Sequence, residues 1–364
     1  MVQVISPSIA QMRSASSASR VFSNRPVLSA PRGSCTRIHA QQTATEQVAT
    51  ESKFTNLKPH TAFLFPGQGA QTVGMAKDVV EEVSAAKGLF AQASDILGYD
   101  LLKVCIEGPK EKLDSTVISQ PAIYVASLAA LEKLRQDSGE EVISQADVAA
   151  GLSLGEYTAL TFAGALKFED GLKLVKIRGE SMQAAADARP SGMVSVIGLD
   201  SDKVNELCEA ANKEVGAEEG VRIANFLCNG NYAVSGGLPG CEAVEKMAKE
   251  FKARMTVRLA VAGAFHTHFM KPAEEKLREA LASTEIVEPR IPVVSNVDAK
   301  AHSSPEAIRD TLARQLTSPV QWEKSVNLLL HSGLEESYEI GPNKVLAGIF
   351  KRIDKKHKIT NVQV

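Results

Sequence analysis

Gly151-Leu-Ser153-Leu-Gly155 stands between a short apolar run, Val148–Ala150, and a helix-competent segment, Glu156 to Leu166. A strand that passes at once into a helix needs a turn so tight that a β-carbon two residues before or after the serine would strike neighbouring backbone. Glycine is therefore required at both places. Such an elbow projects Ser153 above a sheet with its hydroxyl exposed, and it aims the Leu154 N–H the same way, backed by the positive end of the helix dipole, as an oxyanion hole requires. A bland glycine-serine turn is the alternative for the string alone. The placement after a strand and before a helix favours a nucleophile.

Residues 1–45 contain no Asp or Glu but hold five arginines (13, 20, 25, 32 and 37) and nine serines, with no apolar block long enough for a secretory signal. That is the composition of an organelle transit peptide, and we assign residues 1–52 to a leader without fixed structure. The even scatter of Ser and Arg points to the plastid stroma, with the mitochondrial matrix as the alternative. Loss of the five arginines takes the formal charge from −2 to about −7, which excludes a nonspecific nucleic-acid binder. No apolar run approaches the roughly 20 residues of a bilayer span, so a membrane span is not expected. The five cysteines (35, 105, 208, 228 and 241) form no C-x-x-C pair, which argues for reduced structural thiols.

The folded part is expected to begin with the apolar strand Thr61–Phe65, which runs into a glycine-rich loop, Pro66 to Gly74. Gly67-x-Gly69 lacks the third glycine of a dinucleotide loop, so the loop is better read as backbone brought close to a reacting group. Ile118–Leu134 has helical periodicity, with Pro121 at a helix start. Phe168–Ala188 reads as another helix in which Leu174, Arg178 and Met182 share one stripe, placing an arginine on an apolar face. A buried guanidinium needs an anion, either an internal carboxylate or a substrate's.

Between residues 191 and 260 the order of elements is βαββαβ: Met193–Leu199, Asp202–Lys213, Val221–Leu227, Tyr232–Ser235, Cys241–Phe251 and Met255–Leu259. This is the ferredoxin-like motif. Strand and helix alternation resumes at Ile291–Val294, Glu306–Leu316, Val320–His331, Ser337–Ile340 and Lys344–Arg352. The expected fold is α/β, with a hydrolase-like domain split over 61–189 and 261–364 and a ferredoxin-like insert at 190–260.

Serine needs a base, and histidine suits the role because its pKa lies near the working pH. His39 lies beside the leader, while His60, His302, His331 and His357 stand in charged or polar settings and read as solvated. Only Ala262-Gly-Ala-Phe265-His266-Thr-His268-Phe-Met270 embeds histidines among small and aromatic residues. His266 could be a structural histidine, a catalytic base or half of an H-x-H metal pair, although no third-ligand motif accompanies it.

Taken with Gly67-Gln68-Gly69, the elbow Gly151–Tyr157, Ile177–Gln183, Ala264-Phe-His266, Met270-Lys-Pro272, Arg314-Gln-Leu316, Pro319–Trp322 and Gly341–Val345, the chain resembles the malonyl-CoA:acyl-carrier-protein transacylases over residues 61–352. The resemblance implies a hydrolase-like α/β fold with a ferredoxin-like insert. It implies Ser153 as nucleophile, His266 as base and acid, the N–H groups of Gln68 and Leu154 as oxyanion hole, and Arg178 as partner of the malonyl carboxylate. It also implies that the Gln315 carbonyl orients His266 in place of a triad acid, with Asn296 nearby, and that Gln120 and Phe265 border the substrate. Malonyl-CoA and acyl carrier protein would be substrate and transient partner, with no bound cofactor, no metal and a monomeric chain, supplying fatty-acid synthesis. Two positions depart from the family pattern: Leu152 where histidine is frequent, and Asn225–Asn231 where Asn-Phe-Asn-Ser-Pro-Gly-Gln is frequent. A serine thioesterase or lipase-like hydrolase using the same elbow is the alternative enzyme, and an inactive carrier-binding module the non-enzymatic one.

Overall fold

Every side chain of Thr61–Phe65 is buried, as befits a parallel strand covered on both faces. The computed structural model describes residues 57–302 and 304–364; the leader assigned to 1–52 lies outside them. Among the described residues the strands in chain order are β1 (Thr61–Phe65), β2 (Val148–Gly151), β3 (Ser191–Ile197), β4 (Val221–Cys228), β5 (Asn231–Gly237), β6 (Met255–Arg258), β7 (Val293–Val294), β8 (Glu336–Ile340) and β9 (Lys358–Val362). They form two sheets. One is parallel with order β7-β2-β1-β8-β9, and the other is antiparallel with order β4-β5-β3-β6.

The parallel sheet has β1 at its centre and helices on its faces, the expected hydrolase-like α/β arrangement. Phe63 and Phe65 meet Phe162 of the elbow helix Gly155–Phe162 at ring-centroid distances of 5.1 and 5.7 Å, joining the central strand to the helix that follows the nucleophile. The antiparallel sheet comes wholly from residues 191–258, with helices Ser201–Val215 and Leu238–Met247 packed on it, in the strand order of a ferredoxin-like unit. The described residues form one compact unit, and the boundaries 61–189, 190–260 and 261–364 remain our proposed division of it.

Several expectations need correction. Pro121 lies inside helix Thr116–Ser138 rather than at its start, because the helix begins upstream of the apolar pattern that marks it. Helix Lys271–Ser283 and strand β9 were not expected; β9, with sequence Lys-Ile-Thr-Asn-Val, is an edge strand with no fully buried residue and so carries little apolar pattern. His302 and His357 are buried, at 4% and 9% exposure, not solvated. His302 contacts Glu156 and His357 contacts Ser337, partners that lie far away in sequence or across a strand pair. His60 and His331 are exposed as expected.

Candidate active site

The elbow is as tight as its glycines imply. A β-carbon on Gly151 would lie 1.9 Å from the Gly155 carbonyl carbon, and one on Gly155 would lie 2.1 Å from the Phe65 carbonyl oxygen. Ser153 adopts φ 52°, a left-handed conformation that a non-glycine residue takes only when its surroundings enforce it. The loop after β1 is pressed onto this turn. A β-carbon on Gly67 would come within 2.3 Å of the Leu152 carbonyl oxygen, and the Leu152 N–H donates to the Phe65 carbonyl at 3.0 Å. Gln68 and Leu154 thus belong to two adjoining turns, and among the described residues neither of their N–H groups donates to another backbone carbonyl within a turn or loop. The Gln68 side chain reaches Thr116 Oγ1 at 3.4 Å.

His266, also left-handed at φ 63°, brings Nε2 to 2.9 Å from Ser153 Oγ. Its Nδ1 lies 2.8 Å from the carbonyl oxygen of Gln315. A carbonyl can only accept, so Nδ1 carries the proton and the Nε2 lone pair faces the serine hydroxyl. Burial, the Arg178 cation and then Arg222 push the His266 pKa down to about 3, against the Gln315 carbonyl, so the ring is neutral and able to accept a proton. With both ring nitrogens engaged, the H-x-H metal pair loses one of its two ligands. Among the described residues no cluster of three metal-ligating side chains occurs.

Arg178 is 1% exposed and has no carboxylate within ion-pair distance among the described residues. Nη1 donates to Gln120 Oε1 at 2.7 Å, while Nη2 donates to Gln315 Oε1 and to Ser153 Oγ, each at 2.9 Å. Its Nε has no hydrogen-bond partner of normal geometry. Burial pulls its pKa down. Among the described residues no carboxylate touches Arg178 directly; the buried Glu156 acts on it only at a distance, through Gln315. A buried cation held only by neutral groups beside the serine is suited to an anion brought by a substrate.

The structure thus brings Ser153, His266, Arg178, Gln120, Gln315 and Asn296 into one hydrogen-bonded cluster. Asn296 Oδ1 accepts the Ser153 N–H at 2.6 Å, and Asn296 Nδ2 donates to the Gly151 carbonyl at 2.7 Å. Phe265 is 5% exposed and precedes the base directly. Glu156 and His302 also join the cluster and were missed. Glu156 is the one charged residue between Val148 and Leu166, a signal that could have marked it as a buried acid with a specific partner.

A strained serine, a neutral histidine with its lone pair on that serine, and an unneutralised guanidinium define a serine acyl-transfer site on an α/β scaffold. Residues 62–363 match the acyl transferase domain. The chain is 42% identical to the human mitochondrial malonyl-CoA-acyl carrier protein transacylase over 80% of its length and 76% of that protein's. It is 40% identical to the Bacillus subtilis malonyl CoA-acyl carrier protein transacylase over 82% of its length and 91% of the relative's. Among solved structures it is similar to a Vibrio cholerae acyl carrier protein S-malonyltransferase, with 40% identity, TM-score 0.78 and coverage of 83% of this chain and 96% of that one. It is also similar to a malonyl-transacylase in complex with a type II PKS acyl-carrier protein, with 37% identity, TM-score 0.77 and coverage of 83% and 95%. The chain belongs to the malonyl-CoA-acyl carrier protein transacylase family.

Proposed function

We propose that the protein transfers a malonyl group from malonyl-CoA to the phosphopantetheine thiol of acyl carrier protein, supplying fatty-acid synthesis. The observation that carries this reading is Arg178, a buried cation with no carboxylate in direct contact among the described residues, whose guanidinium touches the serine hydroxyl. In the first half-reaction Ser153 Oγ attacks the thioester carbonyl and its proton passes to His266 Nε2. The N–H groups of Gln68 and Leu154 receive the developing oxyanion. The C–S bond breaks and His266 returns the proton to the departing CoA sulfur. In the second half the carrier thiol gives its proton to His266 and attacks the malonyl-serine ester, and Ser153 leaves with that proton. Throughout, Arg178 pairs with the free carboxylate, Gln120 and Gln315 hold Arg178, and the Gln315 carbonyl keeps His266 in the productive tautomer. The chemistry calls for no cofactor and no metal.

A hydrolase would share the first half and differ in the second. The deciding experiment gives the malonylated protein a choice between carrier-protein thiol and water: malonyl recovered on the carrier supports the transferase, and free malonate at the same rate with or without carrier would establish a hydrolase. For the carrier to dock on an acidic chain a local basic patch is needed. Lys344, Lys351, Arg352, Lys355 and Lys356 are exposed near the C-terminus and form no ion pair among the described residues. We further infer a single-chain enzyme addressed to the plastid by residues 1–52; mitochondrial relatives supply the alternative address. Fluorescence of a fusion carrying residues 1–52 in plant cells separates the two organelles.

A further inference from the structure

Glu156 takes no part in the steps above, yet it is 0% exposed and sits in the first turn of the elbow helix, three residues after the nucleophile. Its Oε1 accepts from His302 Nε2 at 2.8 Å. Its Oε2 accepts from the Asn296 N–H at 3.0 Å and from Gln315 Nε2 at 2.7 Å. Those last two partners hold most of the site. Asn296 grips the Ser153 N–H and the Gly151 carbonyl, and Gln315 donates to the Ser153 carbonyl at 3.0 Å while holding Arg178 and His266.

One carboxylate therefore holds two residues, Asn296 by its backbone N–H and Gln315 by its side-chain amide, and these between them hold both backbone polar groups of the nucleophile, the guanidinium and, through the Gln315 carbonyl, the base. Among the described residues the base itself touches no acid. We propose that Glu156, clamped from behind by His302, is the positioning residue of this site: it acts through Asn296 and Gln315 to give the orientation that a triad acid gives by direct contact. The proposal rests on the reading of Ser153 and His266 as nucleophile and base. Without Glu156 the Asn296 N–H loses its acceptor, which loosens the backbone that carries the Asn296 side chain, and Gln315 Nε2 keeps only the Ser153 carbonyl, which frees the Gln315 side chain to turn. Misplacement of reacting groups by about 1 Å costs on the order of a hundredfold in rate.

Phenylmethanesulfonyl fluoride tests this, because it reports on activated serine and carries neither thioester nor carboxylate. The rate of Ser153 sulfonylation is followed by mass spectrometry and expressed per folded protein, so that a merely structural role leaves it unchanged. Glu156→Ala is expected to slow it by about a hundredfold. Glu156→Gln keeps one acceptor oxygen toward Asn296 and Gln315 but gives up the charge, and is expected to lie about three- to tenfold below wild type, a partial rescue. In the double variant Glu156→Ala with Gln315→Ala the losses are expected to overlap rather than multiply. An unchanged rate in folded Glu156→Ala, or losses that multiply, would overturn the proposal. If Glu156→Ala does not fold, Glu156→Gln with Gln315→Ala runs the same cycle: overlapping losses support the proposal, and a wild-type rate in Glu156→Gln or multiplying losses overturn it. A wild-type Ser153 inert to the probe would remove the nucleophile reading and this proposal with it.

Discussion

Arg178 Nη2 donates to Ser153 Oγ across 2.9 Å, so the cation we propose to read the acyl group touches the proposed nucleophile. Selection and catalysis are therefore not separate regions of this pocket. On the proposed reading, a carboxylate arriving at Arg178 would draw the guanidinium's hydrogen bonds toward itself and leave the serine hydroxyl to His266.

This contact sets the acyl-group preference. Acetyl leaves Arg178 without its anion, and loss of one partner of a buried charge pair costs about 2–5 kcal/mol, or roughly thirty-fold to several thousand-fold. Competition between malonyl-CoA and acetyl-CoA should show that preference in the wild type and its collapse in Arg178→Ala. An identical malonyl-to-acetyl ratio in both would make Arg178 structural. Methylmalonyl-CoA should also be disfavoured in the same competition if, as the resemblance implies, the buried Phe265 that precedes the base closes the space an α-methyl group would need.

The pH dependence follows from the same neighbourhood. His266 has its pKa pushed from 6.5 down to about 3 by burial, then by Arg178 and Arg222. In the free enzyme the base stays neutral well below the usual histidine range, so kcat/KM should hold as pH falls through 6.5. A bound malonyl carboxylate neutralises Arg178 and removes one of the causes of the depression. The acidic limb of kcat should therefore lie at higher pH than that of kcat/KM. Coincident limbs at the ordinary histidine value would contradict this coupling. The sign for folding is the same: the unfolded chain binds a proton that the buried ring refuses, so His266 lowers stability as pH drops from 6.5 toward 3.

Carrier docking is tested by charge reversal. Lys351→Glu with Arg352→Glu should slow transfer to carrier protein, chiefly through a slower encounter, and leave acylation by malonyl-CoA intact. Carrier kinetics unchanged at low salt would remove this patch.

The elbow gives a stability prediction. Gly155→Ala would place its β-carbon 2.1 Å from the Phe65 carbonyl oxygen, and backbone on the central strand cannot swing aside as a side chain can. A loss of at least about 1–3 kcal/mol is expected, read as a lower melting temperature together with lost acylation. A normal melting temperature would mean that the turn is looser than described.

Local pattern made much of this fold legible. Thr61–Phe65 and Phe168–Ala188 coincide with the observed strand and helix, and the βαββαβ order of 191–260 matches the antiparallel sheet, because those elements bury continuous or periodic apolar faces. The linkages of the site were less legible. Gln120, Gln315 and Asn296 stand 58, 137 and 143 residues from the groups they hold, and the resemblance located them where composition could not. No sequence motif ties Glu156 to a partner, and His302 reads as solvated; their pairing across 146 residues appears only when β2 and β7 lie side by side.

The central claim is that Ser153, with His266 as its base, carries the malonyl group. Incubating the mature protein with malonyl-CoA and mapping the added mass by peptide mass spectrometry tests it most directly. The account predicts one malonyl on the Ser153 peptide, none in Ser153→Ala, and acylation slowed by about two to four orders of magnitude in His266→Ala. Malonyl on another residue, or undiminished acylation of Ser153→Ala, would contradict it.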